Sequence, residues 1–305
     1  MKVNLGKKLA MNQYKRLGLV TVLFNAPDVL DDFFTSLSCQ SYEQYQVYIV
    51  DNSTVPEPLA KARELAEHYQ ISVTFIDNKG DNVGVAAGNN QGVNAALNDG
   101  CDLILFINND LIFDDKNVLS SLVNSMDSDM LDMCSPVILN YPAKKIWYAG
   151  GYIDTIKAVA PHYNIDGEYI PNSIQRAAFD YAPTCFLIVT ASLLGKVGCM
   201  DEKYFAYYDD TDFLFRCNQA GYKVELLPNV VIHHKVGSST GGGLSYFGAY
   251  HLSRNRIYFI RKNIKGIKKY ISLAYTVLTR SIRLMSAPSE IKKAIKKGMA
   301  DGFKM

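Results

Sequence analysis

Cys101–Asp115, CDLILFINNDLIFDD, is the stretch that decides the fold. Leu103, Ile104, Leu105, Phe106 and Ile107 form an unbroken apolar run, the mark of a strand buried on both faces. It stops at Asn108, Asn109 and Asp110, three short polar side chains in a row. In an open α/β sheet, ligands bind at the carboxyl ends of the strands. A carboxylate flanked by amides at such an end can hold a hard cation through oxygen. The same residues also suit an ordinary turn, because Asn and Asp bond their own backbone there.

Upstream, the pattern repeats. Leu17–Phe24 reads as a first strand ending at Asn25, Gln46–Val50 as a second ending at Asp51-Asn52-Ser53, and Ile71–Ile76 as a third ending at Asp77-Asn78. Val29, Leu30, Phe33, Phe34 and Leu37 recur at helical spacing, and Leu59–Tyr69 reads as a surface helix. Strands alternating with helices predict parallel pairing through right-handed crossovers. One Asn/Asp strand end is a turn; four along one edge make a polar rim.

Between the third and fourth strands, Gly80, Gly84, Gly88 and Gly92 recur every four residues. Two readings stand: close approach of backbone and helix N-terminus to a diphosphate, or tight helix–sheet packing. Neither the dinucleotide nor the P-loop fingerprint is present. Farther on, Met133–Leu139 and Thr184–Thr190 read as strands. Phe213, Leu214, Cys217 and Ala220 form a helical stripe closing at Gly221. Asp209, Asp210 and Asp212 crowd that helix's first turn. Acids suit a helix start, but adjacent carboxylates also raise the proton affinity of one towards that of a general base. Val230–Ile232 reads as a short strand running into His233-His234, ahead of a glycine-rich loop with the composition of a lid. Trp147, among tyrosines and glycine pairs, reads either as a sugar platform or as part of a hairpin.

Bulk properties bound the rest. The 305 residues, 48% apolar and 20% charged, describe a globular protein with ample core. The N-terminus lacks a signal-peptide core, and no apolar run reaches transmembrane length. Six cysteines without CxxC spacing suggest reduced thiols and a cytoplasmic setting. The net charge of +2 hides an asymmetry: residues 261–305 hold 12 Lys/Arg against Glu290 and Asp301, so the body is acidic and the tail basic. Such a tail, amphipathic over 264–305, suits an anionic lipid surface at the inner face of the plasma membrane, a partner helix, or solvent. Arg254, Arg256 and Arg261 precede it, suited to phosphates or to solvent.

In order and spacing, VTVLFN (20–25), VDNS (50–53), DNVGVAAGNNQG (81–92), LFINND (105–110), MDEKYFAYYDDTDFLFR (200–216), HHKVGSS (233–239) and RNRIYFIRK (254–262) resemble the inverting family 2 glycosyltransferases. The likeness is to the branch acting on bacterial surface polysaccharides, with rhamnosyl- or galactofuranosyltransferases as the sub-branch. It implies a GT-A fold: a Rossmann-like, mostly parallel α/β sheet flanked by helices over 1–262, with a basic helical tail over 263–305. It also implies a nucleotide-sugar donor, UDP- or dTDP-linked, a glycan or lipid-linked acceptor, and no nucleic acid. Asn25, Asp51, Asn82, Gly84, Asn90 and Asn109 fall on donor-binding positions. Asp110 and His234 fall on the metal positions, for Mn²⁺ or Mg²⁺, with His233 one slip away; Asn108 replaces the pattern's first Asp. Asp210 takes the base position beside Asp209, and Trp147 and Tyr208 are expected on the acceptor side. A nucleotidyltransferase would be expected to carry a basic glycine-rich loop near its N-terminus, where this chain has NAPD. An inactive sugar-nucleotide-binding scaffold would need neither the acidic trio nor the histidine.

Overall fold

The computed structural model describes residues 16–235 and 245–305. Most of the glycine-rich loop, with Gly237 and Ser239 of the H-x-x-G-x-S pattern, lies outside the described residues.

The first half alternates as its sequence predicts. In order come β1 (Leu17–Leu23), α1 (Leu30–Ser38), β2 (Tyr45–Asp51), α2 (Glu57–His68), β3 (Val73–Asp77), α3 (Val85–Asn98) and β4 (Leu103–Ile107). These strands pair in parallel in the order β3-β2-β1-β4. All five residues of β4 are buried, since the strand is covered on both faces. Gly88 and Gly92 of α3 lie against Val22 and Val20 of β1: an added Cβ would come within 2.9 and 2.4 Å of those side chains. For these two glycines the tight-packing reading holds.

The second half supplies β5 (Leu111–Ile112), α4 (Val118–Ser128), β6 (Met133–Asn140), β7 (Ile146–Tyr148), β8 (Ala178–Phe179), β9 (Phe186–Thr190), α5 (Ala191–Val197), α6 (Asp209–Gln219) and β10 (Val224–His234). Beyond β4 the sheet is mixed, in the order β4-β9-β6-β10-β5. β9 runs antiparallel to both β4 and β6, and β10 is parallel to β6. A buried apolar run signals a covered strand but says nothing of its neighbour's direction. Two reversals restore the original sense, so β10 ends on the same edge as β1–β4. β10 is also longer than its sequence suggested. Pro228 cannot donate to a ladder, and the strand passes it through a register shift between Leu227 and Val231.

Three helices close the chain: α7 (Tyr246–Asn263), α8 (Gly266–Ser286) and α9 (Ser289–Lys304). α9 docks on α7. Cβ atoms at Gly298 and Gly302 would meet the Tyr250 and Arg254 carbonyl oxygens at 2.4 and 2.5 Å, and Ala249, Ile291, Ala294 and Ile295 form a small buried cluster. Arg261 donates to the carbonyls of Gly302 and Phe303, closing the helix's C-terminal end. α8 is oriented the other way round. Ser272 and Thr276 are fully buried, whereas Ile267, Tyr270, Ile271, Leu278, Ile282 and Met285 are exposed. No helix among the described residues is long and apolar enough to cross a membrane.

Candidate active site

The polar rim exists, and its centre is set by strand register. β5 begins directly after Asp110 and pairs antiparallel with β10, placing Leu111 opposite His234. The Lys235 amide donates to the Asp110 carbonyl at 2.9 Å. Two residues far apart in sequence are thereby brought together: His234 Nε2 lies 3.2 Å from Asp110 Oδ1, both side chains largely buried. Alternation along β10 buries His234 and leaves neighbouring His233 half-exposed. His234 Nδ1 is buried without a hydrogen-bond partner. The donor set fits a divalent cation: two ligands on adjacent octahedral positions, each about 2.1 Å from the ion, lie about 3 Å apart. No group of three His, Cys, Asp or Glu is gathered among the described residues, so protein atoms would fill only part of the coordination shell.

Asp110 lies at the edge of a cavity of about 360 Å³, within the range of small-ligand sites. Asn52, Asn82, Gly84, Asn89, Asn108 and Asn109 line it, with Phe205 and Phe247 as apolar walls. Asn109 Nδ2 donates to the Val22 carbonyl at 3.2 Å, fixing the amide across the ends of β1 and β4. Asn82 Oδ1 accepts the Gly84 amide at 3.0 Å. Gly84, at φ +89°, caps the N-terminus of α3, and a Cβ there would meet the Phe205 carbonyl at 2.6 Å. Of the four repeating glycines, this one brings backbone to the cavity. Asn90 points elsewhere: it brackets Met200 and donates to Glu202 at 2.9 Å, while Asn89 takes the lining position.

An adjoining hollow of about 440 Å³ holds Asp51, Ser53, Arg63, Asp77 and Lys79. Asp51 Oδ1 accepts the Ser53 amide at 3.0 Å. Asn25 ties the end of β1 to this corner, accepting from the Thr54 amide at 2.9 Å and donating from its amide nitrogen to the Thr54 hydroxyl at 3.0 Å.

The acidic turn is built under strain. Tyr207 and Tyr208, at φ +64° and +70°, sit consecutively in the left-handed region just before α6. Each such residue costs about 1–3 kcal/mol, so the surroundings must hold it. Asn255 donates to the carbonyls of Ala206 and Tyr207 at 2.7 and 2.8 Å, and the Tyr208 hydroxyl donates to the Ala158 carbonyl at 2.7 Å. Tyr208 is therefore a buried anchor for the turn. The three acids diverge in environment. Asp212, fully buried, is neutralised by Arg216 at 2.9 Å and Lys262 at 2.8 Å. Among the described residues Asp209 has no such partner; burial first, then the neighbouring Asp210 charge, push its pKa up to about 8. Asp210 is half-exposed and accepts from the Tyr181 hydroxyl at 2.5 Å and the Thr211 amide at 2.6 Å.

A chain of rings joins the two halves of the site. Trp147 meets His234 edge-on at 4.6 Å and His162 at 4.9 Å; His162 stacks on Tyr181 at 5.7 Å, and Tyr181 reaches Asp210. Burial lowers the His162 pKa, leaving a neutral ring. Its Nδ1 lies 2.6 Å from the Trp147 carbonyl, which can only accept, so Nδ1 carries the proton. Burial and Asp210 hold Tyr181 well above the usual phenol range, so it stays a donor. Trp147, expected on the acceptor side, stands in this chain of rings, while His162, Tyr181, Phe205 and Phe247 are not among the residues expected from sequence. His162, a lone histidine in an aromatic-rich stretch, carried some signal; Tyr181 carried none.

The profile described as glycosyl transferase family 2 matches residues 19–194. A 68-residue stretch is 38% identical to an N-acetylglucosaminyl-diphospho-decaprenol L-rhamnosyltransferase of Mycobacterium tuberculosis, spanning 22% of this chain and 22% of that protein. Among solved structures, a mannosyltransferase from Pyrobaculum calidifontis in complex with GDP-Man and Mn²⁺ aligns over 95% of this chain and 81% of its own, at 13% identity and TM-score 0.57. TarS from S. aureus (residues 1–349), in complex with UDP-GlcNAc, aligns over 95% and 81%, at 13% identity and TM-score 0.61. GalNAc-T7 with UDP, GalNAc and Mn²⁺ aligns over 95% and 56%, at 14% identity and TM-score 0.66. At such identities the likeness shows the fold, which is GT-A.

Proposed function

Since the chain belongs to glycosyl transferase family 2, we propose that it is an inverting, metal-assisted transferase moving a sugar from a UDP- or dTDP-linked donor to a hydroxyl of a membrane-linked glycan. The observation that carries this reading is the continuous ring path from the Asp110–His234 pair to the Asp210 carboxylate. It holds a cation-competent pair and a base-competent carboxylate in one rigid frame.

In this mechanism the hollow at Asp51 and Arg63 takes the nucleoside, and the cavity beside Gly84, Asn82 and Asn109 takes the diphosphate and sugar. When bound at Asp110 and His234, the divalent cation, Mn²⁺ or Mg²⁺, supplies positive charge against the departing diphosphate. Asp210 accepts the proton of the acceptor hydroxyl as that oxygen attacks the anomeric carbon from the opposite side. Tyr181 holds the Asp210 carboxylate in one orientation through the reaction. Asp209, buried and protonated below about pH 8, stays neutral and spares Asp210 a second adjacent charge.

Residues 1–262 are assigned the transfer chemistry and 263–305 the membrane side. The outward apolar stripe of α8, in the segment holding 12 Lys/Arg and only two acids, suits a peripheral contact with an anionic bilayer. The test is a thermal-shift panel of UDP-, dTDP- and GDP-sugars with and without Mn²⁺. A Mn²⁺-dependent shift with one nucleotide class, with donor hydrolysis lost in Asp210→Asn, supports the transferase. No shift with any donor on folded protein points to a scaffold.

A further inference from the structure

Three arginines around the C-terminal helices end on oxygen through several of their nitrogens or onto the body. Arg216 meets Asp212 and the carbonyls of Val197 and Cys199; Arg254 meets the Lys203 carbonyl; Arg261 meets Gly302 and Phe303. Arg256 and Arg280 are different. Arg256 on α7 is 7% exposed and, among the described residues, donates to the Lys157 carbonyl alone, its Nε having no acceptor. Arg280 on α8 is half-buried, and its Nε is likewise unpartnered. Among the described residues no carboxylate pairs with either. Burial and then the nearby Arg256 charge lower the Arg280 pKa, which puts two like charges in one seam.

The rest of that seam is also short of partners. Ser272, Thr276 and Arg280 follow one another at four-residue spacing, which places them on one face of α8. Both hydroxyls are fully buried and unpartnered. Arg256 lies over the Tyr275 ring at 5.6 Å. The seam extends to Tyr208: Arg256 and Arg280 both oppose the rise of its pKa. Tyr208 directly precedes Asp209-Asp210. Buried guanidiniums without counter-charge are costly, and their planar forks match phosphate oxygens. The Ser272 and Thr276 hydroxyls, on the same face of α8 as Arg280, add neutral donors.

We propose that the α7–α8 seam, built from Arg256, Arg280, Ser272 and Thr276, binds a phosphate-type anion, namely the diphosphate of a membrane-anchored acceptor. The assignment to an acceptor rests on the transferase reading; the anion site does not. α8 then works on both faces, its outer stripe in the bilayer surface and its inner face on the acceptor's charged linkage, with the acceptor hydroxyl directed towards Asp210.

The test is isothermal titration of the full chain with inorganic pyrophosphate in EDTA, without donor. Wild type binds, and Arg280→Gln weakens binding at least tenfold with an unchanged melting temperature. Lys293→Gln, the same charge change at an exposed position of α9, leaves binding intact. Arg256 also holds the Lys157 carbonyl, so Arg280 is the first variant and Arg280→Lys, with partial recovery, the check on packing. Neutral phosphatidylcholine vesicles, with and without polyprenyl diphosphate, and phosphatidylglycerol vesicles identify the source. Loss of the polyprenyl-diphosphate preference in Arg280→Gln supports the proposal. No pyrophosphate binding by wild type, equal binding by Arg280→Gln and Arg256→Gln, or a loss confined to phosphatidylglycerol overturns it. If donor shifts fail while pyrophosphate binding holds, the transferase reading falls and the anion site stands.

Discussion

The Tyr181 hydroxyl donates to Asp210 Oδ2 at 2.5 Å, while the Tyr181 ring stacks on His162 at 5.7 Å. One buried phenol thus fixes the carboxylate assigned to proton abstraction and links it to the ring path ending at His234. Replacing Asp210 by Asn removes the base and should lower kcat about 100- to 10,000-fold, with donor affinity unchanged. Tyr181→Phe leaves the carboxylate but frees its orientation, so kcat should fall about tenfold with the same donor affinity. Steady-state kinetics beside donor titration checks both.

Asp209 makes stability depend on pH. Its folded pKa, about 8, lies above the ordinary carboxylate value of 3.8, so the folded state binds more protons between those limits. Its contribution is fully present below about pH 4 and is lost as pH rises through about 8. Asp209→Asn should therefore gain on wild type in urea midpoint from pH 5 to pH 8. A constant difference across that range would remove Asp209 as the cause.

The Asp110–His234 pair, 3.2 Å apart, should account for any metal dependence. In His234→Ala and Asp110→Asn, the extra thermal shift given by Mn²⁺ in the presence of donor should disappear. The shift given by the nucleotide alone should remain, because Asp51 and the Arg63 hollow are untouched.

Gly84→Ala should destabilise by about 1–3 kcal/mol, because its φ is +89° and a Cβ would press on the Phe205 carbonyl. Donor binding should fall as well, since the start of α3 would have to move. Urea denaturation and donor titration measure the two effects.

Leu278→Asp with Ile282→Asp places charge on the exposed face of α8 and removes no buried contact. Cosedimentation with phosphatidylglycerol vesicles should be lost while donor hydrolysis in solution persists. Unchanged cosedimentation would show that α8 does not bind the bilayer.

The sequence alone determined the alternating elements of the first half and the rim. Unbroken apolar runs at Leu103–Ile107 and Leu17–Phe24 specify covered strands, and short polar residues at their ends specify one ligand edge, because these are local properties of the chain. The neighbours Asp209 and Asp210 were legible for the same reason. Tertiary structure decided what depends on distant pairing. The register of β5 against β10 puts His234 beside Asp110. Packing turns Asn90 towards Met200 and leaves Asn89 on the cavity. The charge pattern of residues 264–305 is nearly uniform, yet α9 is built into the body through Gly298 and Gly302 while α8 shows its apolar face outward. Helical periodicity identifies an apolar face; only the surface it meets determines whether that face is buried.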